Sequence, residues 1–379
     1  MLTRVQKIRS RSPLAPRNFR IPNHVSLYHH PFKFTMPTSK PQPQEHSKVL
    51  VLGAGNFGSC LAEHLGDSDH QVFLWSREVE VVKHFNLHHK NLKYLPEHNF
   101  SRTFLLENLT ILKRSLHDKT KLPLLIFVNK GIEIGTDALT LEIIADTCGS
   151  DVARAATFIV SARSGSHHIP YCLTHFFLVR PSFAKEIVRR QPTSVSVASF
   201  TEAEANKTSD LFHQPHFRCY TGSDPIGIEL SGALKNVYAI AAGMSDGLGY
   251  ENNTRAMIIT RGLAEMTCIG TAYGASPLTF LGWLDSLSSR NYTVGFRLGQ
   301  GESLKTIIDT LGSVAEGVST AKGVKTIIDK LGVKAPIAER VYEVLYQDKE
   351  TKTAVRELMD LPASRELELP PTIGGQRDN

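Results

Sequence analysis

The strongest constraint on the fold is a glycine-rich turn that joins an apolar strand to a helix near the start of the chain. Lys48–Leu52 is a short run of β-branched and apolar residues, which is typical of a buried parallel strand. Gly53-Ala54-Gly55-Asn56-Phe57-Gly58 follows at once, and residues 58–65 have helical character. A G-x-G-x-x-G motif is specific when it stands between a strand and a helix in this way.

Each glycine of this turn has its own task in binding a dinucleotide. Gly53 permits the tight turn, Gly55 lets the backbone approach a pyrophosphate, and Gly58 lets the helix pack closely on the strand. The helix N-terminus then directs its positive dipole end at the phosphates. We therefore expect a nicotinamide dinucleotide on residues 53–58, with an incidental glycine-rich turn as the alternative.

The end of the second predicted strand, Gln71–Trp75, bears on the choice between NAD and NADP. An acidic residue normally stands there and holds the adenosine ribose 2′-hydroxyl. In this chain Ser76 and Arg77 occupy that place, followed by Glu78. Arg77 can accept a 2′-phosphate, stack on adenine or simply be a solvated charge. Both NAD and NADP therefore remain open as the cofactor.

Strands alternate with helices up to about residue 225. Further strands are predicted at 122–129, 155–160 and 193–199, and helices at 139–148 and 183–190. This alternation indicates an α/β Rossmann-type N-terminal domain with a parallel, doubly wound sheet.

The pattern then becomes helical only, which predicts an all-α C-terminal domain. Small residues between Gly232 and Gly243 allow close helix packing. The helices are expected at 226–243, 254–273, 303–312, 318–331 and 337–347. The domain organisation that follows is a leader at 1–46, a dinucleotide-binding domain at 47–224, a helical substrate domain at 225–361 and a frayed tail at 362–379.

The positive formal charge of +6 comes from the N-terminal segment. Residues 1–44 carry eight basic side chains and no acidic one, which leaves 35 basic and 37 acidic residues in the body. Such a segment resembles a mitochondrial or plastid transit peptide. The alternative is an unstructured leader, with translation starting at Met36. We expect a cytoplasmic protein unless residues 1–35 are a targeting signal.

Composition argues against several classes of function. The nearly neutral body gives no electrostatic case for nucleic-acid binding. No apolar run reaches the roughly 18 residues of a membrane span. The five cysteines are widely spaced without a C-x-x-C pair, and the paired histidines lie in polar stretches. We therefore expect a reducing compartment and neither a disulfide framework nor a metal site.

Two lysines stand in positions that suit catalysis. Lys130 follows the strand predicted at 122–129, at the carboxyl end where ligands of open α/β sheets gather. Lys235 lies in a helix of small and apolar residues, and burial there would lower its pKa and favour general base chemistry. For either lysine the alternative is a surface residue whose stem lies along apolar neighbours.

Six segments together resemble the NAD(P)-dependent glycerol-3-phosphate dehydrogenase family, and the likeness runs from about residue 48 to 346. The segment around Lys235 is the most specific of them, and the glycine-rich turn the least. The segments are GAGNFG at 53–58, NKGIE at 129–133, PSFAKE at 181–186, ELSGALKNVYAIAAGMSDGLG at 229–249, TRGLAEMT at 260–267 and SRNYTVG at 289–295.

The resemblance implies interconversion of dihydroxyacetone phosphate and sn-glycerol 3-phosphate with NAD(P)H, feeding glycerolipid and glycerol metabolism, by a homodimer. It makes Lys235 the general acid/base and places Lys130 against both substrate and cofactor. The other implied substrate contacts are Ser182, Ser289, Arg290 and Asn291. The other implied cofactor contacts are Asn56, Phe57, Arg77, Ala184, Arg290, Val314 and Glu316.

The chemistry of such a reaction suits these residue types. Reduction of a ketone needs a proton donor at the developing alkoxide, and a lysine ammonium supplies both proton and charge. A phosphate-bearing substrate needs an arginine fork, which Arg290 beside Asn291 offers. The cofactor supplies the hydride, so no metal is required.

The chain departs from the family at two places. Residues 160–180 intervene before Pro181-Ser182, and Arg180 takes the place of a glycine that approaches substrate. This segment resembles either a retained intron or alternative exon boundary, or a real surface insertion. Most of the family's Asp- and Thr-bearing loop before Ser289 is also missing, so that residues 283–288 follow Gly282 directly. Asp285 stands only four residues before Ser289, which is too close to align with the family's Asp, and its substitution for that Asp is the alternative.

Two other functions follow from these departures and from the two-domain plan. The first is a catalytically impaired protein that binds dinucleotide without turnover, such as a splice-variant product. The second is a related β-hydroxyacid-type dehydrogenase, against which the sequence Gly232-Ala233-Leu234-Lys235-Asn236 argues.

Overall fold

The computed structural model describes nine stretches of the chain. These are residues 47–76, 78–100, 103–106, 124–128, 132–133, 135–163, 183–280, 290–311 and 315–362. The predicted leader at 1–46 lies outside them, as does the predicted tail beyond residue 362.

The first sheet has three parallel strands in the order β1-β2-β3. Strand β1 is Lys48–Leu52, β2 is Gln71–Trp75 and β3 is Thr103–Leu106. Helix α1 (Asn56–Asp67) connects the first two strands, and α2 (Val79–His88) follows β2. The sequence predicted β1 and β2 to the residue, because each is an apolar run that ends at a polar or glycine residue.

The second sheet has four strands in the order β4-β5-β6-β7. They are β4 (Leu125–Phe127), β5 (Ala156–Arg163), β6 (Thr193–Ser199) and β7 (Phe217–Gly222). Helices α3 (Thr140–Cys148) and α4 (Ser150–Arg154) lie between β4 and β5, α5 (Phe183–Val188) precedes β6, and α6 (Glu202–Phe212) follows it.

The expectation of one fully parallel sheet is wrong in two respects. The described strands form two sheets, and β5 and β6 pair antiparallel. Arg163 at the end of β5 lies opposite Ser194 near the start of β6, so these two inner strands run in opposite directions. Residues 160–163 also belong to β5, so the departure predicted at 160–180 overlaps a paired strand.

From residue 225 to 362 the described residues form helices and contain no strand, as the all-α prediction required. The helices are α7 (Pro225–Gly247), α8 (Asn252–Ala272), a short 3₁₀ turn (Pro277–Phe280), α9 (Arg290–Gly299), α10 (Leu304–Thr310), α11 (Glu316–Leu331), α12 (Pro336–Tyr346) and α13 (Thr351–Met359). No helix among them is both long and apolar enough to cross a bilayer.

Two hydrophobic clusters form the core. One joins α1 to buried residues of β2, β6 and β7, and it includes Ala184 and Ile187 of α5. The other centres on α7 and takes in Phe158 of β5 and Ala198 of β6. The four-stranded sheet therefore contributes side chains to both clusters, which connects the dinucleotide-binding part of the fold to the helical part.

Helices α7 and α9 touch through their backbones. A methyl group added at Gly295 of α9 would overlap the carbonyl oxygen of Ile240 in α7, and one at Gly299 would overlap that of Met244. Gly243 in α7 is equally tight against the Tyr292 carbonyl oxygen. Only glycine permits such close approach, which confirms the packing role predicted for Gly243 among the small residues of this helix.

Asp224 fixes the start of α7. Its carboxylate accepts a hydrogen bond from the Gly227 amide at 2.9 Å, which caps the helix. The same carboxylate accepts from the Ser276 amide at 2.9 Å and from the Thr279 hydroxyl at 2.6 Å. One side chain thus holds the first turn of α7 against the 3₁₀ turn.

Candidate functional site

The glycine-rich turn has the geometry that each of its glycines was predicted to provide. Gly53 has a φ of 113°, a left-handed value that favours glycine, and its amide donates to the Trp75 carbonyl at 2.9 Å. A Cβ at Gly58 would overlap the Gly53 carbonyl oxygen, so the close approach of α1 to the turn requires glycine there.

The remaining part of the turn leaves room for a ligand. A Cβ built on Gly55 would meet no described atom within 4 Å, so the backbone is open on that side. Gly55 is also the N-cap of α1 and places no side chain over the helix terminus. An open glycine backbone at an uncapped helix N-terminus fits a dinucleotide pyrophosphate.

Three predicted cofactor residues lie around this turn. Asn56 is exposed at the first position of α1, and Phe57 is half-buried beside it. Ala184 of α5 is 9% exposed and belongs to the same hydrophobic cluster as Ala54, against which Phe57 also packs. The structure therefore places Ala184 in the cluster that packs on this side of α1, and its contact with the cofactor stays a prediction.

Several predicted site residues lie outside the described part of the chain. They are Arg77, Lys130, Ser182, Ser289 and Val314, together with the departures at 164–180 and 283–288. Next to Arg77, the Glu78 carboxylate accepts hydrogen bonds from the Lys93 ammonium at 2.7 Å and the Tyr94 hydroxyl at 3.1 Å. Sequence reasoning gave Lys93 and Tyr94 no role, because neither lies in a recognisable motif.

Lys235 is buried in the middle of α7. Lys235 is only 7% exposed, and the helix residues around it, from Pro225 to Ser245, are buried as well. The surface interpretation is therefore wrong for this lysine. Burial of an ammonium group costs free energy, and buried charged groups are frequent at functional sites, which keeps Lys235 as a candidate for catalysis.

Three predicted site segments meet at Gly317, near the start of α11. The Gly317 amide donates to the Asn291 side-chain oxygen at 2.8 Å. A Cβ on Gly317 would lie 2.7 Å from the Asn236 carbonyl oxygen and 2.9 Å from that same Asn291 oxygen. The residues next to these three contacts are Glu316, Lys235 and Arg290.

The α7–α9 contact places Lys235 and Arg290 at the same level. Asn236 and Asn291 meet at Gly317, and Ile240 and Met244 meet Gly295 and Gly299 further along. These three pairs have the same separation in sequence, so the two helices run side by side in a fixed parallel register. Lys235 and Arg290, which precede Asn236 and Asn291, are separated by the same 55 positions, so their Cα atoms lie at the same height along the two helix axes.

The residues around Gly317 differ in how they can serve a substrate. Arg290 is exposed at the first position of α9, where a helix N-terminus and a guanidinium together suit an anion. Asn291 is 6% exposed and its side-chain oxygen is engaged by Gly317, so it also has a structural task. Glu316 is exposed at the first position of α11.

Two buried glutamates flank this part of the fold. Glu229 of α7 accepts from the Thr140 and Leu141 amides at the start of α3, and burial raises its pKa to about 7. Glu265 of α8 accepts from the Ile337 amide at 2.9 Å and the Ala338 amide at 3.2 Å, and burial likewise raises its pKa to about 7. Both carboxyl groups hold helix N-termini in place.

The described residues define a two-domain oxidoreductase of the Rossmann type, with a dinucleotide turn in one domain and a buried lysine in the other. The family model described as NAD-dependent glycerol-3-phosphate dehydrogenase N-terminus matches residues 48–120, and the corresponding C-terminus model matches residues 224–356. The chain belongs to the NAD-dependent glycerol-3-phosphate dehydrogenase family.

Curated relatives and a solved structure agree with this assignment. A glycerol-3-phosphate dehydrogenase (NAD(P)+) of Leptospira biflexa is 40% identical over 84% of this chain and 99% of its own length. Its counterpart from Geobacillus kaustophilus is 36% identical over 84% of this chain and 96% of its own. A crystal structure of glycerol-3-phosphate dehydrogenase from Coxiella burnetii superposes with a TM-score of 0.68 at 28% identity, covering 84% of this chain and 99% of that one.

Proposed function

We propose that this protein interconverts dihydroxyacetone phosphate and sn-glycerol 3-phosphate, using NADH or NADPH as the hydride donor. The observation that carries the proposal is the burial of Lys235 in α7, one residue before the contact at which Asn236 and Asn291 meet Gly317, with Arg290 next to Asn291. A short phosphorylated ketone needs both a proton donor at its carbonyl and a cation at its phosphate. The family of the chain supports this choice of substrate.

The N-terminal domain would hold the cofactor. Its pyrophosphate would lie on the open backbone of Gly55 at the start of α1, with Gly53 and Gly58 fixing the shape of the turn. When bound, the nicotinamide ring supplies the hydride. The remaining cofactor contacts that we propose are Asn56, Phe57, Arg77, Lys130, Ala184, Arg290, Val314 and Glu316.

The C-terminal domain would hold and protonate the substrate. Lys235 gives its proton to the alkoxide oxygen as the ketone is reduced and takes it back in the reverse direction. Its positive charge stabilises the oxyanion before the proton moves. We assign the substrate phosphate to Arg290, with Asn291, Ser182 and Ser289 beside it, and give Lys130 contact with both substrate and cofactor.

We also propose the wider setting of the enzyme. It would act as a homodimer in the cytoplasm, or in a mitochondrion or plastid if residues 1–35 are a targeting signal. The domain boundaries that fit this function are 47–224 for cofactor and 225–361 for substrate, with a leader at 1–46 and a tail at 362–379. The start of α7 at Pro225, capped by Asp224, supports the boundary between the two domains.

The test is turnover by the purified full-length protein. NADH and NADPH oxidation should depend on dihydroxyacetone phosphate, and a hydroxyacid precursor such as a 2-oxoacid should not replace it. The Lys235→Ala variant should lose activity by about two orders of magnitude or more, the usual contribution of a positioned acid, while still binding dinucleotide. Lys322→Ala, in α11 where the ammonium lies over the Tyr346 ring, serves as the control lysine in the same domain.

Three results would contradict the proposal in different ways. Dinucleotide binding without turnover would favour the catalytically impaired alternative. Turnover with a 2-oxoacid would favour a β-hydroxyacid-type dehydrogenase. A Lys235→Ala variant with near-normal kcat would remove the acid/base role from that residue.

A further inference from the structure

We propose that Asn91 is a positioning residue for the dinucleotide, because its buried side chain sets the orientation of the peptide that faces the pyrophosphate. The proposal rests on the dinucleotide-binding part of the proposed function. It concerns a loop far from the glycine-rich turn in sequence, for which neither motif nor composition gave any signal.

The side chain of Asn91 joins the turn to the first turn of α1. Its amide nitrogen donates to the Ala54 carbonyl oxygen at 2.9 Å and to the Ser59 hydroxyl at 2.9 Å. Asn91 is 1% exposed and Ser59 is fully buried, so water does not compete for these bonds. Ala54 stands between Gly53 and Gly55, the first two glycines of the motif.

Fixing the Ala54 carbonyl also fixes the Gly55 amide. The peptide unit between Ala54 and Gly55 is planar and trans, so its C=O and N–H groups point in opposite directions. Because the carbonyl is directed at Asn91, the Gly55 N–H is directed away from Asn91. Gly55 is the residue whose backbone is open to a ligand, and its amide is the group that a pyrophosphate oxygen would approach.

The loop that carries Asn91 is itself held in one shape. The Asn91 carbonyl accepts from the Leu95 amide at 2.9 Å and from the Tyr94 amide at 3.3 Å. Leu95 is 3% exposed and packs in the same cluster as Ala54. The side chain of Asn91 is therefore presented to the turn by a fixed backbone, which lowers the entropic cost of holding it there.

The same loop also reaches the other end of the predicted cofactor site. Lys93 and Tyr94 bind the Glu78 carboxylate, which follows the position where a ribose-binding residue is expected. Residues 91–95 thus connect the pyrophosphate end of the site to the adenosine end. A change at Asn91 should affect the binding of NADH and NADPH equally, because both share the pyrophosphate.

The chain contains a closely matched control at the far end of the same helix. The Gln214 amide nitrogen donates to the His64 carbonyl oxygen at 2.8 Å and to the Ser68 hydroxyl, which is the C-cap residue of α1. Gln214 thus makes the same two kinds of hydrogen bond as Asn91. The two groups that Gln214 bonds, at His64 and Ser68, lie about 12 to 18 Å along the helix from the turn.

The experiment compares Asn91→Leu with Gln214→Leu in the full-length protein. Each removes an amide that bonds one backbone carbonyl and one serine, so both should lower the unfolding midpoint. Only Asn91→Leu should weaken NADH and NADPH binding, by about tenfold in Kd as measured by nucleotide fluorescence. Its KM for dihydroxyacetone phosphate and its kcat at saturating NADH should stay close to those of the parent protein.

A second variant guards against loss of folding. Asn91→Asp keeps the shape but turns a carboxylate oxygen toward the Ala54 carbonyl oxygen, so it should weaken both dinucleotides at least as much. The positioning role is overturned if either folded Asn91 variant binds dinucleotide like the parent, or if Gln214→Leu weakens binding equally. Failure of the parent protein to bind NADH and NADPH would instead contradict the proposed function.

Discussion

The backbone amide of Gly317 donates to the side-chain oxygen of Asn291 at 2.8 Å, and this bond joins the start of α11 to the start of α9. The same glycine approaches the Asn236 carbonyl oxygen so closely that a Cβ would lie 2.7 Å from it. Three helices therefore meet at one residue without a side chain. The neighbours of these contacts are the proposed catalytic lysine, the proposed phosphate ligand and Glu316.

Gly317→Ala should damage catalysis more than cofactor binding. Its methyl group must push α11 away from the Asn236 carbonyl, and the shift should reach Lys235 and Arg290. We expect kcat to fall about tenfold or more, as small misplacements at reacting groups do, with NADH affinity within about twofold of the parent. Steady-state kinetics and nucleotide fluorescence measure the two quantities.

Gly332→Ala provides the control at the other end of α11. Gly332 has a φ of 63°, so alanine there strains the backbone and lowers stability without touching the site. Equal losses of kcat in the two variants would show that general destabilisation, and not the meeting point at Gly317, controls activity.

Lys93→Met should shift cofactor preference toward NADH. The Lys93 ammonium lies 2.7 Å from a Glu78 carboxylate oxygen, next to the place where a 2′-phosphate would sit beside Arg77. Without the lysine, the carboxylate charge repels that phosphate. We expect Kd for NADPH to rise about two- to fivefold relative to Kd for NADH, a range typical of exposed ion pairs.

Lys83→Met changes the net charge equally and breaks an ion pair with Glu80 on the exposed face of α2. It should leave the ratio of the two dissociation constants unchanged. If both variants change the ratio of the NADPH and NADH dissociation constants equally, the change comes from net charge and does not depend on the ion pair between Lys93 and Glu78. Measuring the two dissociation constants of both variants at increasing salt concentration provides a second comparison, because salt screens exposed charges.

Glu265→Gln should flatten the pH dependence of stability. Burial raises the pKa of Glu265 from 4.5 to about 7, so the folded protein binds this proton more tightly than the unfolded chain does. The resulting stability is fully present below pH 4.5 and is lost as pH rises toward 7, at up to about 1.4 kcal/mol per pH unit. Glutamine stays neutral, but its single carbonyl oxygen can replace only one of the two carboxylate oxygens that accept from the Ile337 and Ala338 amides, so the variant should also be less stable at every pH.

Urea unfolding between pH 5 and pH 8 measures this slope. Glu302→Gln is the control, because Arg297 lowers the pKa of that carboxyl below 4.5, so its titration changes stability only at lower pH and should leave the slope between pH 5 and pH 8 unaltered. An unchanged slope in Glu265→Gln would mean that Glu265 titrates normally in the folded state. Glu229, whose pKa burial raises in the same way, should keep part of the slope in either variant.

Removal of residues 164–180, with Ser-Gly restored before Pro181, should raise kcat/KM. The family resemblance leads from the strand into Ser-Gly-Pro within a few residues, and β5 ends at Arg163, so the deletion must spare residues 160–163. A variant in which 164–180 is replaced by a Gly-Ser linker of equal length separates the effect of length from that of sequence. Unchanged kcat/KM in both would show that the added segment is neutral for activity.

The sequence revealed those parts of the fold that local pattern determines. Thr193–Ser199 alternates polar and apolar residues and is a strand to the residue, while Pro225–Gly247 is long, apolar and rich in small residues. Helix α9 was not predicted because its two glycines weaken the helical pattern. In the structure these glycines allow the close approach of α7. The antiparallel pairing of β5 with β6 depends on how the chain returns to the sheet, which no local pattern records.

The candidate site likewise contains residues that the local sequence identifies and residues that it does not. Gly53, Gly55 and Gly58 could be assigned from their order along the chain, and the unusual surroundings of Lys235 were visible in its neighbours. Asn91 and Gly317 could not be found, because each contacts residues that are distant in sequence. Such positions become apparent only when the tertiary contacts are known.

The glycine contact between α7 and α9 has a consequence for substrate choice. Because backbone meets backbone at Gly243 and Gly295, these glycines fix the distance between the main chains of α7 and α9, and repacking of side chains does not alter it. If Lys235 and Arg290 hold the two ends of the substrate as we propose, the same contact sets the spacing of their Cα atoms. A larger residue at either glycine would then move both proposed substrate contacts at once.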